Sequence, residues 1–271
     1  MRIYDCFCYF DEDLLLDLRL NILADYIDYF IIVEAGEDHQ GNKKKRNFDI
    51  KKFYKFKSKI KYFFLESLKI EKSFKIPQNW NFGHYRDQFQ REFIMSCIED
   101  ASPDDYIIIS DLDEIPNPNS ILYFKNEFKY AFFKQKFFYY KFNLLNISNP
   151  YWFGSRICVK KNLKSPQWLR NINPNKQGYF KKLFDPLTIL NDGGWHFSYL
   201  KKPEDIIKKI NSFAHSELNF KNLQSIDIIQ DKIFNKKDLF DRGYVFEAVN
   251  IDRQFPEYLI KNKKKYIEWI V

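Results

Sequence analysis

Short apolar runs alternate with helical periodicities along the first half of the chain. Four runs predict strands, over Ile3–Phe10, Tyr29–Val33, Ile60–Leu65 and Tyr106–Ile109. Between them, apolar residues recur every three or four positions in Glu12–Ala24 and Arg86–Glu99, which is typical of a helix with one buried face. Strands separated by helices predict an α/β fold with a mainly parallel central sheet in a single domain.

The second half of the chain is less regular. Aromatic and β-branched residues predict strands over Phe137–Asn143 and Ser155–Lys160. A helix is predicted from Pro203 to Ala214, because proline is favoured at the first helical position. No internal repeat or linker interrupts the sequence. We therefore assign residues 1–220 to one domain and expect residues 221–271 to form a helical extension packed on it.

The composition is that of a folded protein. The chain has 271 residues, of which 45% are hydrophobic, and this excludes an intrinsically disordered chain. The four cysteines include no C-x-x-C pair, which argues against a zinc ribbon and favours a reducing compartment. The sequence contains neither a signal-peptide h-region nor an apolar run long enough to cross a membrane. We expect a cytoplasmic protein, with contact to the inner face of a membrane as an open alternative.

The net charge raises the alternative of a nucleic-acid-binding protein. Lys and Arg number 44 and Asp and Glu 36, which gives a formal charge of +8. A nucleic-acid interface needs a clustered basic face with exposed aromatic residues, whereas the lysines here are scattered along the chain. A basic surface equally suits a phosphate group or an anionic membrane. We therefore expect no nucleic-acid partner and keep this interpretation as the non-enzyme alternative.

The most informative stretch follows the fourth predicted strand, where Asp111, Asp113 and Glu114 come directly after Tyr106–Ile109. Ligands of open α/β sheets bind beyond the carboxyl ends of the strands. Carboxylates this close favour a divalent cation, which can bridge to a diphosphate. In a plainer interpretation, Asp111 caps a turn and the other two acids are solvated. A haloacid-dehalogenase-type phosphatase is a further alternative, although Ile115 stands where that class usually has Thr or Val.

Three segments together resemble glycosyltransferase family 17. The segments are Ile3–Phe7 with Glu12, Leu15 and Arg19, then Ile108–Pro116, then Gly193–Tyr199 followed by Ser212–His215. The resemblance extends from residue 3 to about residue 220. It implies a GT-A-type nucleotide-sugar-binding fold and a metal-dependent, inverting hexosyltransferase. The implied donor is a UDP-sugar carrying N-acetylglucosamine, and the implied acceptor is a glycan hydroxyl of a polysaccharide, lipopolysaccharide or glycoprotein.

The resemblance also implies the metal site. Asp111 and Asp113 would bind the donor diphosphate through Mn²⁺ (or Mg²⁺). His196 follows a Gly-Gly-Trp sequence, and a late histidine often completes such a site because neutral imidazole is a good ligand. A buried, hydrogen-bonded core histidine is the alternative for His196, and His215 is the substitute candidate for the ligand.

Two arginines and one glutamate are further candidates for donor binding. Arg86, on the predicted helix, either holds the diphosphate or forms a surface ion pair with Asp87. Arg91 is interpreted as a solvated or structural residue. Glu34 ends the second predicted strand, where it either contacts the nucleoside or caps the following loop.

An inverting transfer needs a general base for the acceptor hydroxyl. Asp192 is our candidate because it stands beside the Gly-Gly-Trp-His sequence. Glu204 and Asp205 are better explained as residues of the first turn of a helix, where the helix dipole favours acids, and Glu217 is the remaining candidate. Tryptophans 152, 168 and 195 could stack on sugar rings, but in a chain this aromatic they are more often core residues.

Overall fold

The computed structural model describes residues 1–68, 81–174, 188–212 and 223–271. The strands of the described part are β1 (Ile3–Tyr9), β2 (Tyr29–Ala35), β3 (Ile60–Leu65), β4 (Tyr106–Ile109), β5 (Glu114–Pro116), β6 (Tyr130–Tyr139), β7 (Leu144–Asn146), β8 (Tyr151–Trp152), β9 (Arg156–Val159), β10 (Thr188–Ser198) and β11 (Phe246–Ala248). The four predicted strands of the first half are therefore present. The predicted strand at Phe137 begins seven residues earlier, at Tyr130, and ends at Tyr139.

The helices of the described part are α1 (Asp13–Leu23), α2 (Phe82–Glu92), α3 (Ile94–Cys97), α4 (Pro118–Ile121), α5 (Pro166–Asn171), α6 (Pro203–Ser212), α7 (Ile226–Phe234) and α8 (Glu257–Lys261). Short 3₁₀ segments cover Ile50–Phe56, Lys160–Asn162 and Lys263–Trp269. The helix predicted from Arg86 begins earlier because Asn81 caps it, accepting the His84 backbone N–H at 2.9 Å. The helix predicted to reach Ala214 is described as far as Ser212.

The strands form one sheet in the order β11-β7-β6-β9-β4-β1-β2-β3, and β10 adds to it by pairing with β5 and β6. Strands β1, β2, β3 and β4 pair in parallel, as do β6 and β10. Strand β9 is antiparallel to both β4 and β6, and β7 is antiparallel to β6. The sheet is therefore mixed, and the prediction of a mainly parallel sheet is only partly met. Short connections, such as the one between β6 and β7, permit antiparallel pairing, whereas parallel pairing needs a long crossover.

Both faces of the parallel strands β1, β2 and β4 are buried, whereas the residues of β3 at the sheet edge are half-buried. Phe7 and Phe30 pack with the leucines of α1 on one face, and Cys6 and Ile31 pack with α3 on the other. This explains the unbroken apolar runs, because a strand covered on both faces has no solvent-facing positions. Burial of each such side chain contributes about 1.5–3 kcal/mol.

The segment after residue 220 is not purely helical. It contributes α7, α8 and a 3₁₀ segment, but also β11, which pairs antiparallel with β7 at the edge of the sheet. Near the end of the chain, Tyr266 donates a hydrogen bond to Asp17 of α1 at 3.0 Å. Within the described ranges, none of the helices is both long and apolar enough to span a bilayer.

Candidate functional site

A cavity of about 610 Å³ opens where β1, β2 and β4 end. Cys8 and Ala35 lie on its wall at the ends of β1 and β2. Asp111 and Asp113 lie on the same wall, on the turn that follows β4. The structure therefore brings the two predicted aspartates into the crevice beyond the strand ends, where α/β sheets bind ligands.

The turn that carries the two aspartates is fixed from beneath by Arg19, whose side chain is completely buried. Its guanidinium donates to both carboxylate oxygens of Asp5, at 2.7 and 2.6 Å. It also donates to the Ser110 hydroxyl and to three backbone carbonyls, those of Asp111, Leu112 and Glu114, at 2.5, 3.1, 3.1 and 2.8 Å. One buried cation thus satisfies several oxygens of a single turn, which holds that backbone in one conformation.

Asp111 lies between two arginines. Its carboxylate accepts hydrogen bonds from Arg91 Nη2 at 3.2 Å and from Arg170 Nη2 at 2.8 Å. Burial alone would raise the pKa of Asp111, but the charges of Arg170 and Arg91 outweigh it and hold that pKa below its usual value. With 44% of its side chain exposed, Asp111 remains open to a ligand in the cavity.

Asp113 faces two other cationic or titratable groups. Its Oδ1 lies 3.7 Å from His196 Nε2, and its Oδ2 lies 3.5 Å from the ammonium of Lys209 on α6. Burial opposes the charged form, but Lys209 and His196 together hold the pKa of Asp113 well below its usual value. Asp113 is therefore an ionised carboxylate whose neighbours carry or can carry positive charge.

His196 reaches Asp113 from β10. Its ring stacks on Phe137, with ring centroids 4.8 Å apart and an interplanar angle of 8°. Among the described residues, its Nδ1 is buried without a hydrogen-bond partner, so the polar contact of the ring is made through Nε2. The structure therefore places His196 beside Asp113 and in an aromatic stack, and its role as a metal ligand stays a prediction.

The site brings together two side chains that can bind a divalent ion, which is fewer than a complete set of ligands. Asp113 and His196 Nε2 are adjacent and face the cavity, whereas Asp111 is held by its two arginines. Across the described ranges, no group of three or more His, Cys, Asp or Glu side chains is arranged to hold a metal. Mg²⁺ is commonly held by one or two protein carboxylates and completed by substrate phosphates and water. Asp113 and His196 could hold an ion in this way.

Glu114 is not solvated, contrary to the plainer interpretation of the acidic cluster. It is 1% exposed and accepts hydrogen bonds from the Asp111 backbone N–H at 2.9 Å and from Trp152 Nε1 at 2.7 Å. Arg170 Nη1 donates to it at 2.6 Å. A side chain at Gly154 would collide with the Glu114 carboxylate, so the glycine makes room for this network. Glu114 therefore orients Trp152 and Arg170 on the cavity wall.

Three cations of the site are not among the residues that the sequence predicts to bind a ligand. They are Arg170, Lys209 and Arg91, and the sequence predicts a solvated or structural role for the last. Arg91 is buried, and it bridges Asp87 at 2.9 Å to Asp111. The Asp87–Arg91 spacing of four residues on one helix was the available signal. No local signal marks Arg170 or Lys209, because tertiary packing brings them in from α5 and α6.

Glu34 and Arg86 do not line the cavity but hold a loop that does. Glu34 is fully buried and accepts the backbone N–H of Asn47 at 2.7 Å and the Tyr62 hydroxyl at 2.9 Å. Arg86 donates to the His39 carbonyl at 3.1 Å. His39 itself lies on the cavity wall. Glu34 therefore takes its alternative role of capping the following loop. Arg86 holds the same loop through the His39 carbonyl, a contact that neither interpretation of Arg86 included.

Asp192 lies outside the cavity wall. It sits in a bulge of β10, between Leu190 and Gly194, with a φ of 51°. Asn117 Nδ2 donates to its carboxylate at 3.1 Å and to its carbonyl at 2.9 Å. A side chain at Gly194 would collide with the Ile115 carbonyl, so the glycine permits the close pairing of β10 with β5. The geometry thus places Asp192 in the scaffold of β10.

The structure describes two of the three other candidates for the base. Glu204 and Asp205 occupy the first turn of α6, as the plainer interpretation expects. Glu217 and the substitute metal-ligand candidate His215 lie outside the described residues.

Trp152 is on the cavity wall, and Trp195 is buried with its N–H on the Gln254 carbonyl at 2.9 Å. Trp152 is thus the tryptophan of the three that the structure brings to the site.

The chain matches a known protein family but no curated protein. The family model for glycosyltransferase family 17 matches residues 1–267, which includes the domain boundary predicted at residue 220. Members of a glycosyltransferase family take a sugar donor and a glycan acceptor, and this favours the resemblance over the phosphatase and nucleic-acid alternatives. With essentially its whole length matched, the chain belongs to glycosyltransferase family 17.

Proposed function

We propose that this chain is a metal-dependent, inverting glycosyltransferase of the GT-A type, with a UDP-sugar as donor and N-acetylglucosamine as the first sugar to test. The observation that carries the proposal is the arrangement around the D-x-D turn. Asp111 and Asp113 face one cavity and are surrounded there by Arg91, Arg170 and Lys209. The family membership supports the transfer of a sugar in general.

The three cations suit the leaving group of such a reaction. When the bond between the anomeric carbon and the diphosphate oxygen breaks, negative charge develops on the diphosphate. Guanidinium and ammonium groups fixed in a partly buried cavity stabilise that charge more than water does. Arg91 and Arg170 are already oriented by Asp111, and Lys209 by Asp113, so little reorganisation is needed.

A divalent ion would add to this charge. Asp113 and His196 Nε2 would hold Mn²⁺ or Mg²⁺, which supplies positive charge at the diphosphate when bound. Asp111 then serves to hold Arg91 and Arg170 toward the cavity.

Inversion requires the acceptor hydroxyl to attack from the face opposite the departing diphosphate while a base takes its proton. The new bond joins the acceptor oxygen to the anomeric carbon, and the nucleoside diphosphate leaves with the electron pair. We draw the base from the carboxylates on the cavity wall other than the D-x-D pair, which are Glu12, Glu37, Asp38, Asp87 and Glu114. Asp192, outside that wall, has no role in the proposed chemistry.

Titration calorimetry with UDP, in the presence and absence of Mn²⁺, tests the proposal. We expect the unmodified protein to bind UDP in a metal-dependent way and Asp113→Asn to lose at least tenfold in affinity. Asp104→Asn is the matched control, because Asp104 is 66% exposed and pairs with Lys161 away from the cavity. Absence of metal-dependent UDP binding by the unmodified protein would overturn the proposal. A screen of nucleotide sugars for slow hydrolysis then identifies the donor sugar.

A further inference from the structure

The cavity has a second end, beyond Asp113, that is built from aromatic side chains and one arginine. Trp152, Tyr199, Phe240 and Arg242 all lie on its wall there. Lys209 joins this end to Asp113, because its ammonium lies 5.4 Å from the centroid of the Tyr199 ring and 3.5 Å from the Asp113 carboxylate. Phe240 and Arg242 come from the segment between α7 and β11. If the donor diphosphate binds at Asp113, this end faces the reacting sugar and its acceptor.

Ring contacts connect the side chains of this end. The Trp152 ring lies 5.1 Å from His196, measured between ring centroids. The Tyr199 and Phe240 rings lie 5.7 Å apart in the same measure, and the Arg242 guanidinium lies 5.1 Å from the centroid of the Phe240 ring. Trp152 therefore contacts His196 beside Asp113, and Tyr199, Phe240 and Arg242 form one series of contacts on the cavity wall. Trp152 is 38% exposed, and its orientation is fixed by the hydrogen bond to Glu114.

Arg242 is held in place from behind. Its Nε and Nη2 donate to the carboxylate of Asp238, which is 4% exposed, at 3.0 and 2.7 Å. The Arg242 backbone N–H donates to the same carboxylate at 2.5 Å, and Nη2 also donates to the Tyr139 hydroxyl at 3.2 Å. In the described part of the chain, Nη1 has no hydrogen-bond partner, and 41% of the side chain is exposed. The guanidinium is thus fixed through Nε and Nη2, and the partly exposed side chain lines the cavity.

We infer that this end of the cavity is an acceptor subsite for a sugar that carries an anionic group, either a carboxylate or a phosphate. An indole face with one side open suits the apolar face of a sugar ring, and a fixed guanidinium suits an anionic oxygen. The inference rests on the proposed function, because it takes the other end of the cavity for the donor. It gives the segment after α7 a role in selecting the acceptor.

Saturation-transfer NMR on the full chain, with and without UDP and Mn²⁺, tests the subsite. The probes are glucuronic acid, glucose 6-phosphate and neutral glucose, so that a carboxylate and a phosphate are distinguished. We expect at least one charged sugar to bind more than fivefold more tightly than glucose. Arg242→Gln should remove that preference, about a tenfold loss, and leave UDP affinity unchanged. Arg253→Gln, an exposed arginine that does not line the cavity, is the matched control.

Three results would overturn the subsite. The first is equal binding of charged and neutral sugars, and the second is an unchanged preference for the charged sugar in Arg242→Gln. The third is a loss of UDP affinity in Arg242→Gln as large as its loss of sugar affinity, which would place Arg242 with the donor. A different result, the absence of metal-dependent UDP binding by the unmodified protein, would show that the proposed function is wrong. The sugar probes without UDP still report on the subsite in that case.

Discussion

Two ionic clusters of similar composition lie on opposite sides of the D-x-D turn. Beneath the turn, the Arg19 and Asp5 side chains are both fully buried. On the cavity side, Arg91 and Arg170 hold Asp111, whose side chain is 44% exposed. The lower cluster holds the turn by its backbone oxygens, whereas the upper cluster holds side chains that a ligand can reach. All three arginines are largely buried, so it is the exposure of the aspartate, 0% for Asp5 and 44% for Asp111, that separates the structural cluster from the proposed binding cluster.

The same difference determines how much each cluster contributes to the free energy of unfolding. Removing one partner of a buried ion pair costs about 3–5 kcal/mol, because the other charge stays buried and unpaired. An exposed pair contributes about 0–1 kcal/mol, because water replaces the lost partner. We therefore expect the lower cluster to control stability and the upper cluster to control ligand affinity.

The largest expected effect is that of Arg19→Met. This change leaves the Asp5 carboxylate and three turn carbonyls without their donor, so the free energy of unfolding should fall by about 3–5 kcal/mol. Urea denaturation followed by circular dichroism measures it. Arg46→Met is the matched control, because Arg46 is 59% exposed and its ion pair with Glu66 is exposed as well. A loss below about 1 kcal/mol for Arg19→Met would contradict the structural role of the lower cluster.

The second prediction concerns the upper cluster. Lys209→Met removes an ammonium group 3.5 Å from Asp113, and UDP affinity should fall by about ten- to a hundredfold, the range for a lost hydrogen bond to a charged group. Calorimetry with UDP and Mn²⁺ measures the change. Lys208→Met is a control one residue away, because Lys208 is 54% exposed and pairs with Asp11 instead. Equal losses in the two variants would indicate a general charge effect rather than a contact at the site.

Strand positions in this fold could be predicted from the sequence, because apolar residues cluster where a strand joins the sheet. The run at Tyr106–Ile109 matches β4, which is buried throughout, and the run at Ile60–Leu65 matches β3, which is half-buried at the sheet edge, residue for residue. The cavity position of Asp111 and Asp113 also follows from the sequence, since ligands of such sheets bind at strand ends. Both inferences use only local information and one general rule of architecture.

The cations of the site could not be predicted in this way. Arg170 is 59 positions from Asp111 in the sequence, and its contact depends on how α5 packs against the sheet. Asp192 is the opposite case, because it stands close to His196 in sequence but a bulge in β10 turns it toward Asn117. Proximity in sequence misleads wherever an irregular strand separates neighbours, and no periodic pattern reveals a contact between distant helices.

A third ion pair, Arg2–Asp105, lies at the start of β4, at the opposite end of the strand from the D-x-D turn. It allows the pH dependence of folding stability to be tested away from the candidate site. Burial alone would raise the pKa of Asp105, but hydrogen bonds from Arg2 and Ser102 and the charge of Arg2 lower it below its usual value. Asp105 therefore binds its proton more readily in the unfolded chain than in the folded protein. Its contribution to folding stability is present above about pH 4 and is lost as the pH falls through the folded-state pKa.

Asp105→Asn should therefore be less stable than the unmodified protein near neutral pH, by about 1 kcal/mol or more, and the difference should narrow as pH falls below about 4. Urea midpoints at several pH values between neutral and acid measure the difference. Asp104→Asn, whose side chain is 66% exposed, should show little difference at any of them. A difference for Asp105→Asn that does not change with pH would show that Asp105 does not contribute through its charge.

The smallest expected effect is that of Asp192→Asn. Asparagine tolerates the positive φ of 51° at this position and keeps an oxygen that can accept from Asn117 Nδ2. Stability should change by less than about 0.5 kcal/mol, as for surface changes in general, and kcat should stay within about twofold. Loss of a catalytic base would instead lower kcat by about a hundredfold or more. The measurement is kcat with the donor sugar found in the hydrolysis screen, and a large fall would return Asp192 to the chemistry despite its place outside the cavity wall.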